Sequence, residues 1–211
     1  RTHELEAACR NLEKTMDATV HAIASMVESR DPYTAGHARR VTQLSSAIAR
    51  QMGLAERQTE AVRVSGLLHD VGKVAIPLDI LAKPTRLTDS EFGIIKGHPQ
   101  VGYDVLKGIP FPWPVADIVL QHHERMDGSG YPKHLRGDEI CLEARILGVS
   151  DVVEATSSHR PYRPALGIEK ALEEISDKKG KLYDPPVVDA CVALFREGIF
   201  IFDASTTQPP S

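Results

Sequence analysis

The spacing of apolar residues constrains the fold of this chain more than any other feature of its sequence. Over most of its length, apolar residues recur at steps of three and four, which is the period of an amphipathic helix. The strict alternation of a half-buried strand is nearly absent, and only GIFIF at residues 198–202 hints at one. With 211 residues, the chain can bury a sizeable core in one domain. The pattern predicts an all-α domain.

Capping and helix-breaking residues indicate where the helices begin and end. Asp31-Pro32 ends the first helical stretch, and Pro114 suits the first position of a later one. Thr88 or Asp89 can cap a further helix. We expect helices over residues 4–29, 36–52 and 55–68, from Thr88 or Asp89 onward, and over residues 114–123, 142–157, 167–176 and 185–197.

The first helix carries a short heptad pattern. Steps of four and three, as in a coiled-coil seam, connect Leu5, Cys9, Leu12, Met16, Thr19, Ile23 and Met26. Three heptads are short for a coiled coil alone, but they suffice when an upstream helix continues them. We expect residues 1–29 to form a linker helix that joins an upstream sensor or receiver domain and pairs in a homodimer; the alternative is that it packs back on its own domain. Residues 30–203 then form the main domain, and residues 204–211 a flexible tail.

Composition excludes several classes of partner. A net charge of −4 argues against a surface that coats a nucleic-acid polymer, which would carry a basic excess. No apolar run approaches the ~20 residues that span a bilayer, and no secretory signal is recognisable. Cys9, Cys141 and Cys191 show no CxxC spacing, so we expect a reduced, cytoplasmic chain whose thiols are buried.

Histidine is unusually frequent, with nine copies. His122 and His123 stand side by side before a glycine-rich turn, and His69 directly precedes Asp70 at the end of a predicted helix. Imidazole and carboxylate donors without thiolate are typical of sites for manganese, iron, nickel, zinc or related divalent ions. Adjacent histidines can both reach one ion only where the helix end lies against it. The two oxygens of Asp70 could bridge two ions ~3.5–4 Å apart.

Each of these residues alone has a simpler interpretation. A lone His37 is more often a helix cap than a ligand, His98 before proline is a loop residue, and Lys73 is a solvated charge. Their occurrence together, in this order, points instead to a metal site. The histidines outside the pattern, expected at the surface, are His3, His21, His134 and His159.

Taken in order, these motifs resemble those of a known family. His37, the pair His69-Asp70, and Asp151 are similar to the ligand positions of the HD superfamily of metal-dependent phosphohydrolases. Four segments of the chain resemble motifs of its HD-GYP branch. They are HDVGK (69–73), GHP (97–99), HHERMDGSGYP (122–132) and DVVEATSSHRPYR (151–163). The resemblance covers roughly residues 28–195. It implies an HD-domain helical bundle in residues 30–203, preceded by the linker helix.

The HD-GYP branch consists of bacterial phosphodiesterases for cyclic di-GMP. The resemblance therefore implies hydrolysis of cyclic di-GMP to linear pGpG, with GMP as a further product. It implies two divalent ions, iron or manganese first, with nickel, zinc or others as alternatives. The implied ligands of the first ion are His37, His69, Asp70 and Asp151, and those of the second are Asp70, His98, His122 and His123. Besides Asp70, the implied catalytic residue is Lys73; the implied substrate contacts are Asp31, Tyr131, Arg160 and Arg163. GGDEF-domain proteins are implied as partners of the GYP loop, the turn that contains Gly-Tyr-Pro at residues 130–132.

Phosphodiester hydrolysis suits these groups chemically. A hydroxide bridging two divalent ions is a nucleophile at neutral pH, because the ions lower the pKa of the water from which it forms. Arg160 and Arg163 stand three residues apart, and two guanidinium groups suit a ligand with two phosphates. Three alternatives stay open: a catalytically weak cyclic dinucleotide receptor, a phosphodiesterase that prefers cyclic GMP-AMP, and a nucleotidase acting on mononucleotides.

One position departs from part of the family. Some HD-GYP proteins place a glutamate four residues before the first ligand histidine, where it helps to hold a third metal ion. Here Tyr33 stands at the matching position, and a phenol with a pKa of ~10 is a poor ligand at neutral pH. We therefore predict two metal ions per chain rather than three.

Overall fold

The computed structural model describes residues 2–31, 36–158 and 166–202. Within these ranges the chain forms helices and two 3-10 turns but no strand, so the all-α prediction is confirmed. The helices are α1 (Thr2–Glu28), α2 (His37–Gln51), α3 (Glu56–Leu68), α4 (Leu78–Leu81), α5 (Asp89–Ile95), α6 (His98–Leu106), α7 (Val115–Gln121), α8 (Leu142–Ser157), α9 (Ile168–Asp177) and α10 (Pro185–Arg196). The 3-10 turns are Val71–Ala75, directly after α3, and Gly137–Glu139, before α8.

The strand hinted at by residues 198–202 is not formed. Phe200 and Phe202 pack their rings against Phe195, with ring centroids 5.4 Å and 5.7 Å away. The alternating apolar residues therefore pack on the end of α10, and the described part of the chain offers no neighbouring strand for them to join.

The main core lies between α2, α8, α9 and α10. Its fully buried side chains include Leu44 and Ile48 of α2, Ile146 of α8, Ile175 of α9 and Val187 of α10. Two smaller clusters attach further helices to the bundle. One packs α7 and the second half of α1 against α3, and the other packs α7 against α2, α3 and α8. Because α8 contacts α2, α3, α7, α9 and α10, it runs through the centre of the bundle.

Only the second half of α1 packs on the bundle. Val20 and Val27 are buried in the cluster that also holds residues of α3 and α7. In the first half, Leu5 and Leu12 are 67% and 71% exposed. The division of the chain at residue 29 and the expected homodimer stay predictions, and the expected tail at residues 204–211 lies outside the described residues.

The last residue of α1 binds the beginning of α2. The carboxylate of Glu28 accepts hydrogen bonds from the backbone N–H groups of Gly36 (3.3 Å) and Ala38 (3.1 Å). The first N–H groups of a helix have no intrahelical partner, and the N-cap Gly36, at a left-handed φ of 71°, has no side chain to supply one. A residue of α1 therefore caps α2.

The expectation that the thiols are buried is wrong for one of the three. Cys191 is buried and Cys141 is partly buried, but Cys9 is exposed. It lies on the first half of α1, which leaves the surface of the bundle, so no packing partner covers it within the described chain. Among the described residues, no helix combines the length and apolar character needed to cross a membrane.

Candidate metal centre

Helix ends bring the predicted ligands together around α8. His37 begins α2, His69 directly follows α3, and His98 begins α6 instead of lying in a loop. His122 and His123 directly follow α7, and Asp151 lies in the middle of α8. The seven residues are distant in sequence, but they converge on one place because the ends of four helices meet beside the buried face of the fifth.

The first group of side chains consists of His37, His69 and Asp70, with Asp151 beside it. The possible ligand atoms of the first three all lie within 4.8 Å of one another. His37 Nε2 is 3.2 Å from Asp151 Oδ1 and 3.8 Å from Asp70 Oδ2, and His69 Nε2 is 3.5 Å from Asp70 Oδ2. Two imidazoles and two carboxylates thus face a common point.

The second group consists of three histidines. Possible ligand atoms of His98, His122 and His123 lie within 4.8 Å of one another. The Nε2 atoms of His98 and His122 are 3.4 Å apart, and His98 Nε2 is 3.5 Å from Asp70 Oδ1. Asp70 therefore turns one carboxylate oxygen toward each group.

Backbone carbonyls fix the orientation of three of the imidazoles. In each of them Nδ1 lies at hydrogen-bonding distance from the carbonyl oxygen three residues earlier: His69 with Gly66 (2.7 Å), His98 with Ile95 (2.8 Å) and His122 with Val119 (2.6 Å). A carbonyl only accepts, so Nδ1 carries the proton and Nε2 presents its lone pair to the centre.

The surroundings of one ring nitrogen show whether the centre is suited to a cation. His69 Nε2 is fully buried and has no hydrogen-bond partner within the described chain. A buried acceptor without a partner is costly, and its free lone pair points at carboxylate oxygens, which cannot donate to it. A divalent ion would satisfy the imidazole and the carboxylates together, so the residues present fit a metal.

Sequence reasoning missed a buried carboxylate behind the first group. Glu154 hydrogen-bonds His37 Nδ1, and its other oxygen accepts from Arg40 Nε at 2.7 Å and from Ser158 Oγ at 2.8 Å. A carboxylate on the outer nitrogen of an imidazole orients the ring toward a metal. The available signal was the spacing in α8, since a charge three residues after Asp151 lies on the same helix face.

Burial keeps the second group neutral. It lowers the pKa of His122 to about 3, and the neighbouring His69 and His98 act in the same direction. Burial likewise lowers the pKa of His98 and that of His123. Neutral imidazole is the form that binds a metal, so these three residues need not lose a proton first.

The first group has a different charge balance. Burial by itself would lower the pKa of His37, but Glu154 and Asp151 outweigh it and raise this pKa to about 9. Burial would raise the pKa of Asp70, but Lys73 and the surrounding histidines hold it well below its usual value. The pKa of Asp151 is low because His37 outweighs burial in the same way. The carboxylates are therefore ionised at neutral pH.

A cleft of about 390 Å³ opens over both groups. Its walls include His37, Asp70, Lys73, Phe92, Ile95, His98, His123, Tyr131, Asp151 and Ala155. Lys73 Nζ lies 2.7 Å from Asp70 Oδ2 and 3.7 Å from Asp31. Asp31 is only 5% exposed and lines a small cavity that His37 and Lys73 also line. Its carboxylate therefore holds the ammonium group of Lys73 from the protein interior.

The GYP loop forms one wall of this cleft. The Tyr131 ring lies 4.7 Å from the His123 ring, tilted by 31°, and Lys96 Nζ is 5.6 Å from its centroid. A side chain at Gly130 would meet the backbone of Glu124 and Arg125 at 2.4 Å, so only glycine fits there. The buried carboxylate of Glu124 accepts from the N–H groups of residues 133 and 135, which anchors the loop beyond the proline.

Four residues with a predicted role or position lie outside the described part of the chain, among them His159, whose predicted place is the surface. Arg160 and Arg163 fall within residues 159–165, and Tyr33 falls within residues 32–35. Their roles stay predictions.

The chain resembles known proteins over most of its length. The family described as "HD domain" matches residues 21–187. The cyclic di-GMP phosphodiesterase response regulator RpfG of Xanthomonas campestris is 40% identical over 188 residues, which are 88% of this chain and 50% of that protein. The 3'3'-cGAMP-specific phosphodiesterase 3 of Vibrio cholerae is 35% identical over 196 residues, 92% of this chain and 42% of that protein. The chain thus spans half or less of the length of these curated relatives.

A solved structure shows the same fold. The cyclic GMP-AMP specific phosphodiesterase V-cGAP3 of V. cholerae superposes with a TM-score of 0.67 at 20% identity, over 90% of this chain and 54% of the other. Helix arrangement, family match and motif positions agree. The chain belongs to the HD-domain family, and the motifs of its HD-GYP branch lie on the residues that surround the centre.

Proposed function

We propose that this chain hydrolyses a phosphodiester bond of cyclic di-GMP, giving linear pGpG, at a centre that holds two divalent metal ions. The observation that carries the proposal is the Asp70 carboxylate, which turns one oxygen to each of two separate ligand groups. Two divalent ions held by these groups would supply a nucleophile from water at neutral pH and would offset the charge that develops on the phosphate.

Each ion has its own set of proposed ligands. The first set is His37, His69, Asp70 and Asp151; the second is Asp70, His98, His122 and His123. Both sets contain imidazole and carboxylate without thiolate, which suits iron or manganese and admits nickel or zinc. Tyr33 stands where some HD-GYP proteins have the glutamate that helps to hold a third ion, so we expect two ions and no third.

The remaining residues bind and orient the dinucleotide. Lys73 lines the cleft beside Asp70, where its ammonium group can bind a phosphate oxygen, and Asp31 holds that ammonium in place. Tyr131 offers its ring to a base at the wall of the cleft. Arg160 and Arg163 are proposed to contact the phosphates. We further propose that GGDEF-domain proteins dock on the GYP loop and that the chain acts in the cytoplasm downstream of a sensor or receiver domain.

A second substrate has support from one comparison. The V. cholerae relative is named as specific for 3'3'-cGAMP, and both cyclic dinucleotides present the same two phosphodiester bonds. The alternative is therefore a phosphodiesterase that prefers cyclic GMP-AMP. A weak receptor is a poorer interpretation, because none of the seven proposed ligands is missing.

Turnover by the metal-loaded protein tests these proposals together. The chain is loaded anaerobically with Fe²⁺ or Mn²⁺, incubated with cyclic di-GMP or 3'3'-cGAMP, and the products are separated by chromatography. We expect linear dinucleotide to accumulate before any GMP. Faster turnover of 3'3'-cGAMP would favour the alternative substrate, and binding without turnover in a protein verified to hold two ions would favour the receptor.

A further inference from the structure

Helix α5 brings two side chains to the wall of the cleft that Tyr131 also forms. Phe92 lines the cleft, and Lys96 directly follows the last turn of α5. Lys96 Nζ lies 4.9 Å from the centroid of the Phe92 ring and 5.6 Å from that of the Tyr131 ring. One ammonium group thus contacts two aromatic rings, one from α5 and one from the GYP loop.

Neither Phe92 nor Lys96 is needed to hold α5 in place. No residue of α5 is buried, and Phe92 is 44% exposed. The helix is fixed at its other end, where Thr88 and Glu91 form a capping box and Lys83 Nζ pairs with Glu91 at 2.7 Å. A large aromatic side chain that lines a cleft without belonging to the core is available to a ligand.

Lys96 has no acidic partner among the described residues. By contrast, Lys73 pairs with Asp70, and Lys83 pairs with Glu91. The ammonium group of Lys96 contacts the two rings instead, and a cation over an exposed aromatic ring is held only weakly. Its three N–H donors can therefore turn to a ligand in the cleft.

Guanine matches this group of side chains chemically. Its O6 and N7 are neighbouring acceptors, and one ammonium group can donate to both. Adenine also has the acceptor N7, but its N6 amino group is a donor, and a lysine side chain has no acceptor to receive it. Aromatic rings stack on any base, so they add affinity without distinguishing one base from another. Of the three side chains, Lys96 is the one that can tell guanine from adenine.

We propose that Lys96, Phe92 and Tyr131 form a guanine subsite on the α5 side of the cleft, in which Lys96 selects the base. This subsite rests on the proposed function, because its ligand is the cyclic dinucleotide. The His123 ring covers one side of Tyr131 at 4.7 Å, so the base stacks on the other face. Cyclic di-GMP and 3'3'-cGAMP both carry a guanine that the subsite accepts, whereas cyclic di-AMP carries none.

Replacing Lys96 by glutamine tests the selection. A glutamine amide can donate to N7 and accept from N6 of adenine, so Lys96→Gln should weaken binding of cyclic di-GMP and strengthen that of cyclic di-AMP. The unchanged chain should bind cyclic di-GMP more tightly. We expect the ratio of the two dissociation constants to shift toward adenine by roughly 5–150-fold, the discrimination that one such base contact provides.

Calorimetry with the whole chain in the presence of a chelator measures both dissociation constants without hydrolysis. Where the chelated chain binds neither dinucleotide, the Mn²⁺-loaded chain is given an equal mixture of the two. The amounts hydrolysed then give the ratio of kcat/KM, which should shift in the same direction.

Two further variants separate base recognition from other roles. Lys107→Gln is the matched control, because this exposed lysine also follows a helix and lies 5.5 Å from a tyrosine ring, but that ring belongs to Tyr103, which does not line the cleft. It should leave the ratio unchanged. Phe92→Ala should weaken both dinucleotides alike, since stacking is common to all bases. Because Phe92 and Lys96 are exposed, neither change should prevent folding.

An unchanged ratio in Lys96→Gln overturns the guanine subsite. An equal loss of both dinucleotides does the same, since the ammonium group would then bind a phosphate rather than a base. If the ratio is unchanged while the chain hydrolyses cyclic di-GMP, the subsite fails and the proposed function stands. Guanine-selective binding without hydrolysis by the metal-loaded chain has the opposite meaning, and a chain that neither binds nor hydrolyses either dinucleotide overturns both.

Discussion

Asp70 is the residue on which the two halves of the centre depend. It is the one proposed ligand whose two oxygens face different groups, 3.5 Å from His69 Nε2 on one side and 3.5 Å from His98 Nε2 on the other. It also forms the 2.7 Å ion pair that holds Lys73 at the cleft.

Replacing Asp70 by alanine should therefore reduce hydrolysis to background and lower the metal content at both sites. The helices should persist, because Asp70 lies between α3 and a 3-10 turn rather than in a core cluster. Turnover, metal analysis and circular dichroism measure the three effects. His3→Ala, at an exposed position of α1, is the control and should change none of them. Full turnover by a metal-loaded Asp70→Ala protein contradicts the mechanism.

Glu154 acts on the centre through His37 and Arg40. Glu154→Gln removes the charge that orients His37, so we expect the affinity of the first metal site to fall ~10–100-fold above pH 9, where His37 has no proton to lose in either protein. Competition against a metal-sensitive dye measures this affinity without reference to activity. Glu143→Gln, on the same helix at a position where the carboxylate accepts a hydrogen bond from Gln58 at 3.3 Å, should leave the affinity unchanged. Equal affinities in both variants would show that Glu154 is merely structural.

His37 gives metal binding a pH dependence. Its pKa of about 9 means that it is protonated at pH 7 in the metal-free protein, and a ligand imidazole must be neutral. Binding at the first site therefore displaces a proton, and the apparent affinity should rise ~10-fold per pH unit as the pH increases toward 9. Titrations with Mn²⁺ in buffers of different ionisation enthalpy measure the released proton. In Glu154→Gln the release should diminish, and an affinity that is independent of pH contradicts the assignment.

The helices were predictable from the sequence, but the arrangement of their ends was only partly so. Periodicity and capping residues placed α2, α3, α8 and α10 to within a residue or two, because burial of one face imposes the period of three and four. The same reasoning did not find that His98 begins α6, since proline at the next position suits either a loop or a first helical turn. The alternation at residues 198–202 also hinted at a strand, where Phe200 and Phe202 instead pack on Phe195 of α10.

The site was predictable where motifs define it and not where packing does. The seven proposed ligands could be named because the HD-GYP motifs occur in order, and the structure brings these residues together, while their role as ligands stays a prediction. Glu154 lies inside one of the matching segments, but no role was assigned to it there, and Glu28 lies in none of them. The roles of both residues depend on which helices come to lie beside them. A sequence specifies such neighbours only through the complete fold.

Among the loops, the GYP segment permits a sharp test of close packing. Gly130→Ala places a methyl group 2.4 Å from the backbone of Glu124 and Arg125, so we expect a loss of ~1–3 kcal/mol of stability and a larger loss of activity. Gly93→Ala is the matched control, because it lies inside α5 with open space around it and should stabilise the chain by up to ~1 kcal/mol. Chemical denaturation measures both, and equal effects of the two substitutions would contradict the tight fit of the loop.

For the molecule as a whole, metal binding should increase the free energy of unfolding. The ligands come from five separate helix regions, so an ion that binds the folded chain stabilises all of them at once. At a free Mn²⁺ concentration of 1,000 times Kd the gain is ~4 kcal/mol for each site. Calorimetry should show a midpoint that falls on chelation and rises again with added Mn²⁺, whereas Asp70→Ala should respond weakly. A midpoint that chelation does not change contradicts a metal centre at this position.

The hydrogen bonds from Gly36 and Ala38 to Glu28 have a consequence for communication over distance. The last residue of α1 holds the backbone on both sides of His37, so a shift of α1 either breaks these hydrogen bonds or moves His37, a proposed ligand of the first ion. A force that displaces the projecting end of α1 would therefore have to overcome part of the free energy with which the first site binds its ion. Thermodynamic linkage would make the relation reciprocal: a signal that shifts α1 would change the affinity for the ion, and binding of the ion would resist the shift to the same extent. A displacement of the N-terminal end of α1 would therefore be transmitted through Glu28 to the proposed site of the first ion.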